Sequence, residues 1–279
     1  MEIIEPHIHM VARTTQDYMR MALMHTVACV EPAFWAGYDR ASPQAFYDYF
    51  RHLTEFEPTR AAQYGIRHYC HICMNPKEAE DVAFSREVIS FIPEFLEKPN
   101  ALGIGEIGLN RNTTNEMIVF AEQVDLAVRL DKIMWIHTPH LADKLKGTRM
   151  IVDYLRGHRG VKPERVCVDH AEEHTIRMIR DAGFWASMTI YPVTKNSPPR
   201  VVDALERFGV DHMMVDASGD WGPSDPVTLH DAVFEMRRRG HREPDIETVF
   251  YDNPARFLGQ NSKFPFRPTR SRGREGAGK

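Results

Sequence analysis

The sequence lacks the features that mark several classes of protein. No apolar run approaches the roughly 18 residues that a membrane helix needs, and the start lacks the basic and apolar regions of a secretory signal peptide. A formal net charge of -4 provides no basic excess for nucleic acid or for an acidic membrane surface. We therefore expect a cytoplasmic protein that binds neither nucleic acid nor a membrane surface.

Cysteine is also scarce, with four residues in a chain of 279. Cys29, Cys70, Cys73 and Cys167 all lie in apolar runs. Cys70 and Cys73 are three residues apart in a strand-like segment, where their side chains would point to opposite faces. This spacing argues against a disulfide or a zinc clip, so we predict buried free thiols.

Short apolar or β-branched runs alternate with longer amphipathic segments along the chain, which is typical of βα units around a parallel sheet. We predict eight strands, at Ile3–Ile8, Thr26–Glu31, His68–Met74, Ala101–Glu106, Ile133–His137, Arg165–His170, Phe184–Ile190 and His212–Val215. Eight is the strand number of a (β/α)8 TIM barrel, and the chain length fits one such domain. The sequence therefore predicts an α/β protein with a single barrel over residues 1–260.

The last 19 residues differ in composition from the rest of the chain. Residues 261–279 are rich in Pro, Gly and Ser and hold six basic residues against one Glu. Because this segment has no apolar periodicity to bury, we predict a disordered basic tail.

Histidine and glutamate residues fall at the ends of predicted strands. His7 and His9 lie two apart in the first strand, where both imidazoles would share a face. Glu106, His137 and His170 end the fourth, fifth and sixth strands, at intervals of 31 and 33 residues. One βα unit of a barrel has about this length, roughly 30 residues. All five candidate metal ligands are thus predicted at the carboxyl-terminal rim, where barrel active sites form.

These segments together resemble the TatD family of metal-dependent hydrolases in the amidohydrolase superfamily. The resemblance rests on His7-x-His9, Gly-Glu106-Ile-Gly-Leu, the strand-ending histidines and an Asp after the eighth strand, and it covers nearly all of residues 1–260. It implies one or two divalent ions, with His7 and His9 on one, His137 and His170 on the other and Glu106 between them. Imidazole and carboxylate ligands favour Zn²⁺, with Mn²⁺ or Mg²⁺ as alternatives.

The chain departs from the TatD pattern at three places, which indicates a divergent branch. Glu5-Pro6 replaces the Asp that precedes the HxH segment, and His137-Thr-Pro-His140 replaces H-x-R, so the Arg that could grip a phosphate is missing. After the eighth strand, Asp216-Ala-Ser-Gly-Asp220-Trp221 replaces Glu-Thr-Asp. His140, Asp216 and Trp221 are candidate substrate contacts.

Asp216 and Asp220 compete for the role of catalytic aspartate. Asp220 opens Asp-Trp-Gly-Pro, which looks like the Asp-Trp-Pro after strand eight of related amidohydrolases, so we expect Asp220 to bind metal and to accept the proton of the attacking water. Asp216 would then support the site from behind or contact substrate. The predicted activity is metal-dependent hydrolysis of a small-molecule ester, phosphoester, lactone or amide. The alternatives are a TatD-like deoxyribonuclease and a metal-binding barrel without catalysis.

Overall fold

Eight parallel strands pair in chain order from β1 to β8 in the computed structural model, which describes residues 1–139 and 142–269. The strands are β1 (Ile3–Glu5), β2 (Thr26–Pro32), β3 (Arg67–Ile72), β4 (Ala101–Gly108), β5 (Ile133–His137), β6 (Val166–Val168), β7 (Trp185–Thr189) and β8 (Met213–Asp216). The first and last strands meet through backbone bonds just beyond their ends, from Ser218 N to His7 O at 2.7 Å and from His9 N to Gly219 O at 2.8 Å. The predicted TIM barrel is confirmed.

Helices connect successive strands and cover the outside of the barrel, as crossovers between parallel strands require. They are α1 (Thr15–Leu23), α2 (Pro43–Arg51), α3 (Glu57–Ala62), α4 (Val82–Leu96), α5 (Thr114–Arg129), α6 (Lys144–Gly157), α7 (Ile176–Asp181), α8 (Pro198–Phe208), α9 (Leu229–Arg238), α10 (Glu243–Glu247) and α11 (Asn253–Leu258). The sequence patterns do not predict α1, which begins with a capping box between Thr14 and Asp17. In the described part of the chain, no helix has both the length and the apolar character to cross a membrane.

Alternate residues of the strands pack into two separate cores. Ile4, Val30, Leu102, Trp135 and Met214 contact one another inside the barrel. Their neighbours along the strands pack outward in a larger cluster with the apolar faces of the helices. The four cysteines are buried and free, as predicted.

The predicted start of a disordered tail at Asn261 is wrong for residues 261–269. Phe264 is fully buried, with its ring centroid 4.9 Å from that of Tyr69 at the amino-terminal end of the barrel. Lys263 Nζ donates to Leu96 O at 2.6 Å, and Asn261 Nδ2 donates to Leu102 O at 2.8 Å. Phe264 and Phe266 lie among prolines and lack the spacing of a helix or a strand. The sequence pattern therefore does not reveal that this segment closes the base of the barrel. Residues 270–279 of the predicted tail lie outside the described residues.

Candidate metal centre

The segment after β1 places two imidazoles side by side. β1 ends at Glu5 because Pro6 cannot donate to a ladder, which corrects the predicted strand end at Ile8. The chain nevertheless stays in line, since Ile8 N donates to Val30 O at 3.0 Å on one side and His7 O accepts from Ser218 N on the other. The Nε2 atoms of His7 and His9 lie 2.9 Å apart.

Glu106 and the two histidine pairs form what we call the rim cluster, the buried set of His7, His9, Glu106, His137 and His170. Glu106 Oε2 lies 3.5 Å from His7 Nε2 and 3.8 Å from His9 Nε2. Its other oxygen, Oε1, lies 3.0 Å from His137 Nδ1 and 3.0 Å from His170 Nε2, and these two nitrogens are 3.1 Å apart. The cluster therefore consists of two groups of three donor atoms that share one carboxylate.

Glycines on both sides of Glu106 allow its strand to approach β5 closely. A Cβ at Gly105 would meet Trp135 Cβ at 2.6 Å, and one at Gly108 would meet His137 O at 2.1 Å. Gly108 also has a φ of 149°, which side chains rarely adopt. The glycines thus set the position of Glu106 beside His137.

Hydrogen bonds behind the imidazoles turn their lone pairs toward the centre of the cluster. His7 Nδ1 lies 2.5 Å from the carboxylate oxygen Asp169 Oδ2, which can only accept, so Nδ1 carries the proton and Nε2 does not. His170 Nδ1 lies 2.7 Å from Thr189 Oγ1, whose own proton goes to Asp216 Oδ1 at 2.8 Å. His170 Nε2 is therefore also an acceptor that faces Glu106.

The charges of the rim cluster match those of metal ligands. Burial alone would raise the pKa of Glu106, but the nearby His7 and His137 outweigh it and hold that pKa well below the usual range. Burial lowers the pKa values of His9 and His170 well below that of free imidazole. An anionic Glu106 beside the neutral imidazoles of His9 and His170 has the protonation state that binds a transition metal.

The donor separations also fit a metal. A Zn–N bond of about 2.0–2.1 Å puts neighbouring ligands of one tetrahedral ion about 3.3 Å apart. The measured separations of 2.9 to 3.8 Å in one group and 3.0 to 3.1 Å in the other scatter around that value. The residues present therefore fit one or two divalent ions.

Asp169 is a functional residue that the sequence reasoning missed. Besides His7, its Oδ2 accepts from Trp135 Nε1 at 2.8 Å, and the carboxylate is fully buried. Burial raises its pKa, but the neighbouring His170 and the hydrogen bond with His7 outweigh this and leave the pKa far below the usual value. Asp169 lies close enough to His7, Glu106 and His170 to join a metal-binding group. Its only signal in the sequence is an Asp directly before a strand-ending His.

The two aspartates after β8 have different surroundings. Asp216 is fully buried and accepts from Ser187 and Thr189, and it is not among the residues that line the cavity, so its contact with substrate stays a prediction. Burial and the neighbouring Asp169 and Glu5 raise its pKa well above the usual value. Asp220 lines the cavity, and its Oδ1 accepts from Tyr191 OH at 2.8 Å and from Gly222 N at 2.7 Å.

The rim cluster opens into a cavity of about 490 Å³. His9, Glu106, His137 and His170 lie at its floor, and its walls are Phe34, Trp35, Asn75, Pro76, Lys77, Lys195, Ser218, Asp220 and Trp221. The structure thus brings Asp220 and Trp221 to the same cavity as the histidines, as predicted. Asp220 has no contact within 4.0 Å of an imidazole in the described part of the chain, so its role as a ligand stays a prediction. His140 lies outside the described residues.

A second buried group lies apart from the cavity, on the outer side of β2 and β3. We call Glu31, Glu57 and His68 the outer cluster. Glu31 Oε2 lies 2.8 Å from His68 Nε2, and all three side chains are buried. None of the three is among the site residues predicted from the sequence.

Known proteins resemble this chain in sequence and in fold. Residues 48–223 match the family described as TatD related DNase. An uncharacterized metal-dependent hydrolase of Methanocaldococcus jannaschii is 24% identical over 262 residues, covering 91% of this chain and 99% of the relative. A TatD-like protein of Archaeoglobus fulgidus superposes with a TM-score of 0.71 at 23% identity, over 92% of this chain and 99% of that one.

More distant structures share the same barrel. A phosphotriesterase homology protein of Escherichia coli, complexed with phosphate in its active site, has a TM-score of 0.67 at 16% identity and covers 92% of this chain and 98% of its own. A lactonase of Listeria monocytogenes has a TM-score of 0.64 at 14% identity, over 95% of each chain. At these identities the similarity shows the fold alone.

Proposed function

We propose, from the premise that this chain belongs to the TatD related DNase family and is a metal-dependent hydrolase, that it hydrolyses an ester, phosphoester, lactone or amide bond of a small molecule. The observation that carries the proposal is the pair of three-donor groups that share Glu106 at the floor of one cavity. His7 and His9 would hold one divalent ion and His137 and His170 a second, with Glu106 as a ligand of both. A donor set of imidazole nitrogens and carboxylate oxygens favours Zn²⁺ or Mn²⁺.

Such an ion supplies two things when bound, a lowered pKa for water and polarisation of the bond to be cleaved. The chain's own residues do the rest. Asp169 and Thr189 keep the proton on the far nitrogen of His7 and of His170, and so keep both inner nitrogens available. Phe34 stacks on His9 with centroids 3.7 Å apart, which fixes that ring and excludes solvent from one side.

Asp220 is our candidate for the group that accepts the proton of the attacking water. Both hydrogen bonds to its carboxylate fall on Oδ1, so Oδ2 has no hydrogen bond from any described residue. The Tyr191 and Gly222 bonds hold the carboxylate in place while leaving that oxygen available. Asp216 has no comparable access, because it is sealed below the cavity.

The lining of the cavity and the neighbouring proteins favour a small substrate. Phe34, Trp35 and Trp221 give the cavity apolar surfaces beside a few polar side chains, as is usual for small-molecule sites. The phosphate in the Escherichia coli relative and the lactonase activity named for the Listeria protein fit an ester, phosphoester or lactone. The family description names a DNase, and a nuclease stays the second candidate on that ground.

The test is a screen of zinc-loaded and manganese-loaded protein against 4-nitrophenyl esters, phosphoesters, lactones and single-stranded DNA. We expect turnover of a small substrate, and we expect Asp220→Asn to reduce it by at least about 10²-fold with folding and metal content intact. Asp216→Asn, at the end of β8, is the matched variant whose turnover is compared with that of Asp220→Asn. A large effect of Asp216→Asn alone would reverse the assignment, and metal binding without any turnover would favour a barrel that has lost catalysis.

A further inference from the structure

Two lysines line the cavity without a carboxylate partner. Lys77 Nζ lies 4.3 Å from the Trp35 ring centroid, and Lys195 Nζ lies 3.3 Å from Ser218 Oγ and 5.4 Å from the Tyr191 ring centroid. Within residues 1–139 and 142–269, neither ammonium group has a carboxylate oxygen within 4.0 Å. Both side chains are half-buried.

Three other lysines of the described residues have carboxylate partners. Lys98 contacts Glu55 at 3.1 Å, Lys162 contacts Asp131 at 2.8 Å and the buried Lys144 contacts Glu172 at 3.5 Å. Burial lowers the pKa of Lys77 and the charge of Lys195 also lowers it, while the carboxylates of Glu106, Asp220 and Asp39 raise it. Two like charges that share a partly desolvated wall are stabilised by an anion placed between them.

Three aromatic side chains also form part of the wall, which includes Asn75, Pro76, Ser218 and Asp220 as well. The Trp221 ring centroid lies 5.4 Å from that of Phe34 and 5.8 Å from that of Trp35. Trp221 is 48% exposed, so a large part of its face is open to a ligand. The cavity therefore combines two unpaired cations with flat apolar surfaces above a floor of metal ligands.

We propose that Lys77 and Lys195 bind an oxyanion of the substrate, a carboxylate or a phosphate group separate from the bond that is cleaved. The substrate class is an anionic ester or lactone with a flat apolar body, which packs against Trp35 and Trp221 while its reacting group faces Glu106. The inference rests on the proposed function for the cleaved bond, but the anion site itself stands on the two lysines. It makes them specificity-determining residues.

Binding of two anions to the zinc-loaded full-length protein tests the site directly. Isothermal titration with inorganic phosphate and with benzoate would compare the wild type, Lys77→Met, Lys195→Met and the double variant. We expect each single change to weaken binding about 10-fold, as loss of one charge-assisted hydrogen bond of about 1.4 kcal/mol implies. Lys162→Met, which removes an exposed paired lysine, is the matched control and should bind as the wild type does. Stronger binding of phosphate or of benzoate identifies which oxyanion the site takes.

A pair of substrates connects the site to turnover. Mono-4-nitrophenyl succinate carries a carboxylate, whereas 4-nitrophenyl butyrate is neutral and similar in length. We expect the lysine variants to raise KM for the succinate ester several-fold more than for the butyrate ester, with zinc content equal in all proteins, whereas Lys162→Met should leave KM for both esters unchanged.

The outcomes separate the two proposals. Equal anion affinity in all variants would overturn the lysine site, even if every variant hydrolysed the neutral ester. Lysine-dependent anion binding without turnover of any substrate would support the site and contradict the proposed function.

Discussion

The rim cluster and the outer cluster both bury imidazoles beside carboxylates, yet their hydrogen bonds differ in kind. In the outer cluster every carboxylate oxygen faces a donor. Glu31 Oε1 accepts from Val11 N at 2.8 Å, and the two oxygens of Glu57 meet His52 Nε2 at 2.9 Å and Tyr18 OH at 2.9 Å. Each carboxylate oxygen of the outer cluster therefore already accepts a hydrogen bond.

In the rim cluster, by contrast, acceptors face acceptors. The bonds to Asp169 and Thr189 take the protons of His7 and His170 away from the centre, so the inner nitrogens point lone pairs at Glu106. A cation at the centre would satisfy these facing acceptors, whereas each carboxylate oxygen of the outer cluster already has a donor. Buried His and Glu residues in proximity therefore do not by themselves indicate a metal site, and the direction of their protons does.

The largest effect should come from removing the shared ligand of the rim cluster. Glu106→Gln replaces the anion with a neutral amide, and we expect metal affinity to fall by 10²-fold or more, since loss of even an outer partner of a ligand costs about 10- to 100-fold. Elemental analysis after dialysis and zinc titration against a competing chelator would measure it. If Glu106→Gln kept its full metal content, the proposed difference in metal binding between the rim cluster and the outer cluster would be contradicted.

The matching change in the outer cluster should affect stability instead. Glu57→Gln leaves Arg60, 3.0 Å away, without its counter-ion. We expect unfolding in urea to require about 3 kcal/mol less free energy, the lower end for breaking a buried pair, with metal content unchanged. Glu55→Gln, an exposed carboxylate two residues earlier, is the control and should change stability by about 0.5 kcal/mol or less. A loss of metal in Glu57→Gln would show that the outer cluster also contributes to ion binding.

Phe264→Ala should lower the stability of the protein without changing a residue of either cluster. Phe264→Ala removes a fully buried ring at the base of the barrel and should cost about 3 kcal/mol, the lower end for such substitutions because the terminal segment can partly close the space. Metal content and the turnover of folded protein should stay as in the wild type. If Phe264→Ala loses metal, stability alone could explain the effect of a rim variant.

The pH dependence of the outer cluster gives the smallest effect. Burial would raise the pKa of Glu57, but the His52 bond and the charges of His68 and Arg60 outweigh it and lower that pKa below its usual value. The unfolded state then binds more protons, so Glu57 contributes stability above its ordinary pKa of about 4.3, and this is lost as the pH falls through the folded pKa.

The stability difference between wild type and Glu57→Gln should thus be smaller at low pH than at pH 7. Glu31, whose pKa burial raises, has a contribution of opposite sign. Urea unfolding of both proteins should be measured at several pH values. Because Glu31 is present in both, its contribution cancels in the difference between their free energies of unfolding. An equal difference at all pH values would contradict the charged state of Glu57.

Much of the barrel and of the rim cluster could be predicted because both follow from local patterns. Strand alternation and the near 30-residue interval between Glu106, His137 and His170 place these residues at one edge without any knowledge of contacts. What could not be predicted depends on contacts between distant segments. Asp169 acts through His7, and Lys77 and Lys195 meet the site from loops after different strands. Phe264 becomes part of the core only because the barrel offers a place for it.

The bonds that join the segments after β1 and β8 have a consequence for how the protein matures during synthesis. His7 and His9 leave the ribosome first among the histidines of the cluster, while Ser218 and Gly219, which hold their backbone, emerge near the end of the domain. A nascent chain cannot present both imidazoles in their final alignment until β8 has joined the sheet. High zinc affinity would therefore be acquired in the last stage of folding, and ion uptake would report that the barrel has closed.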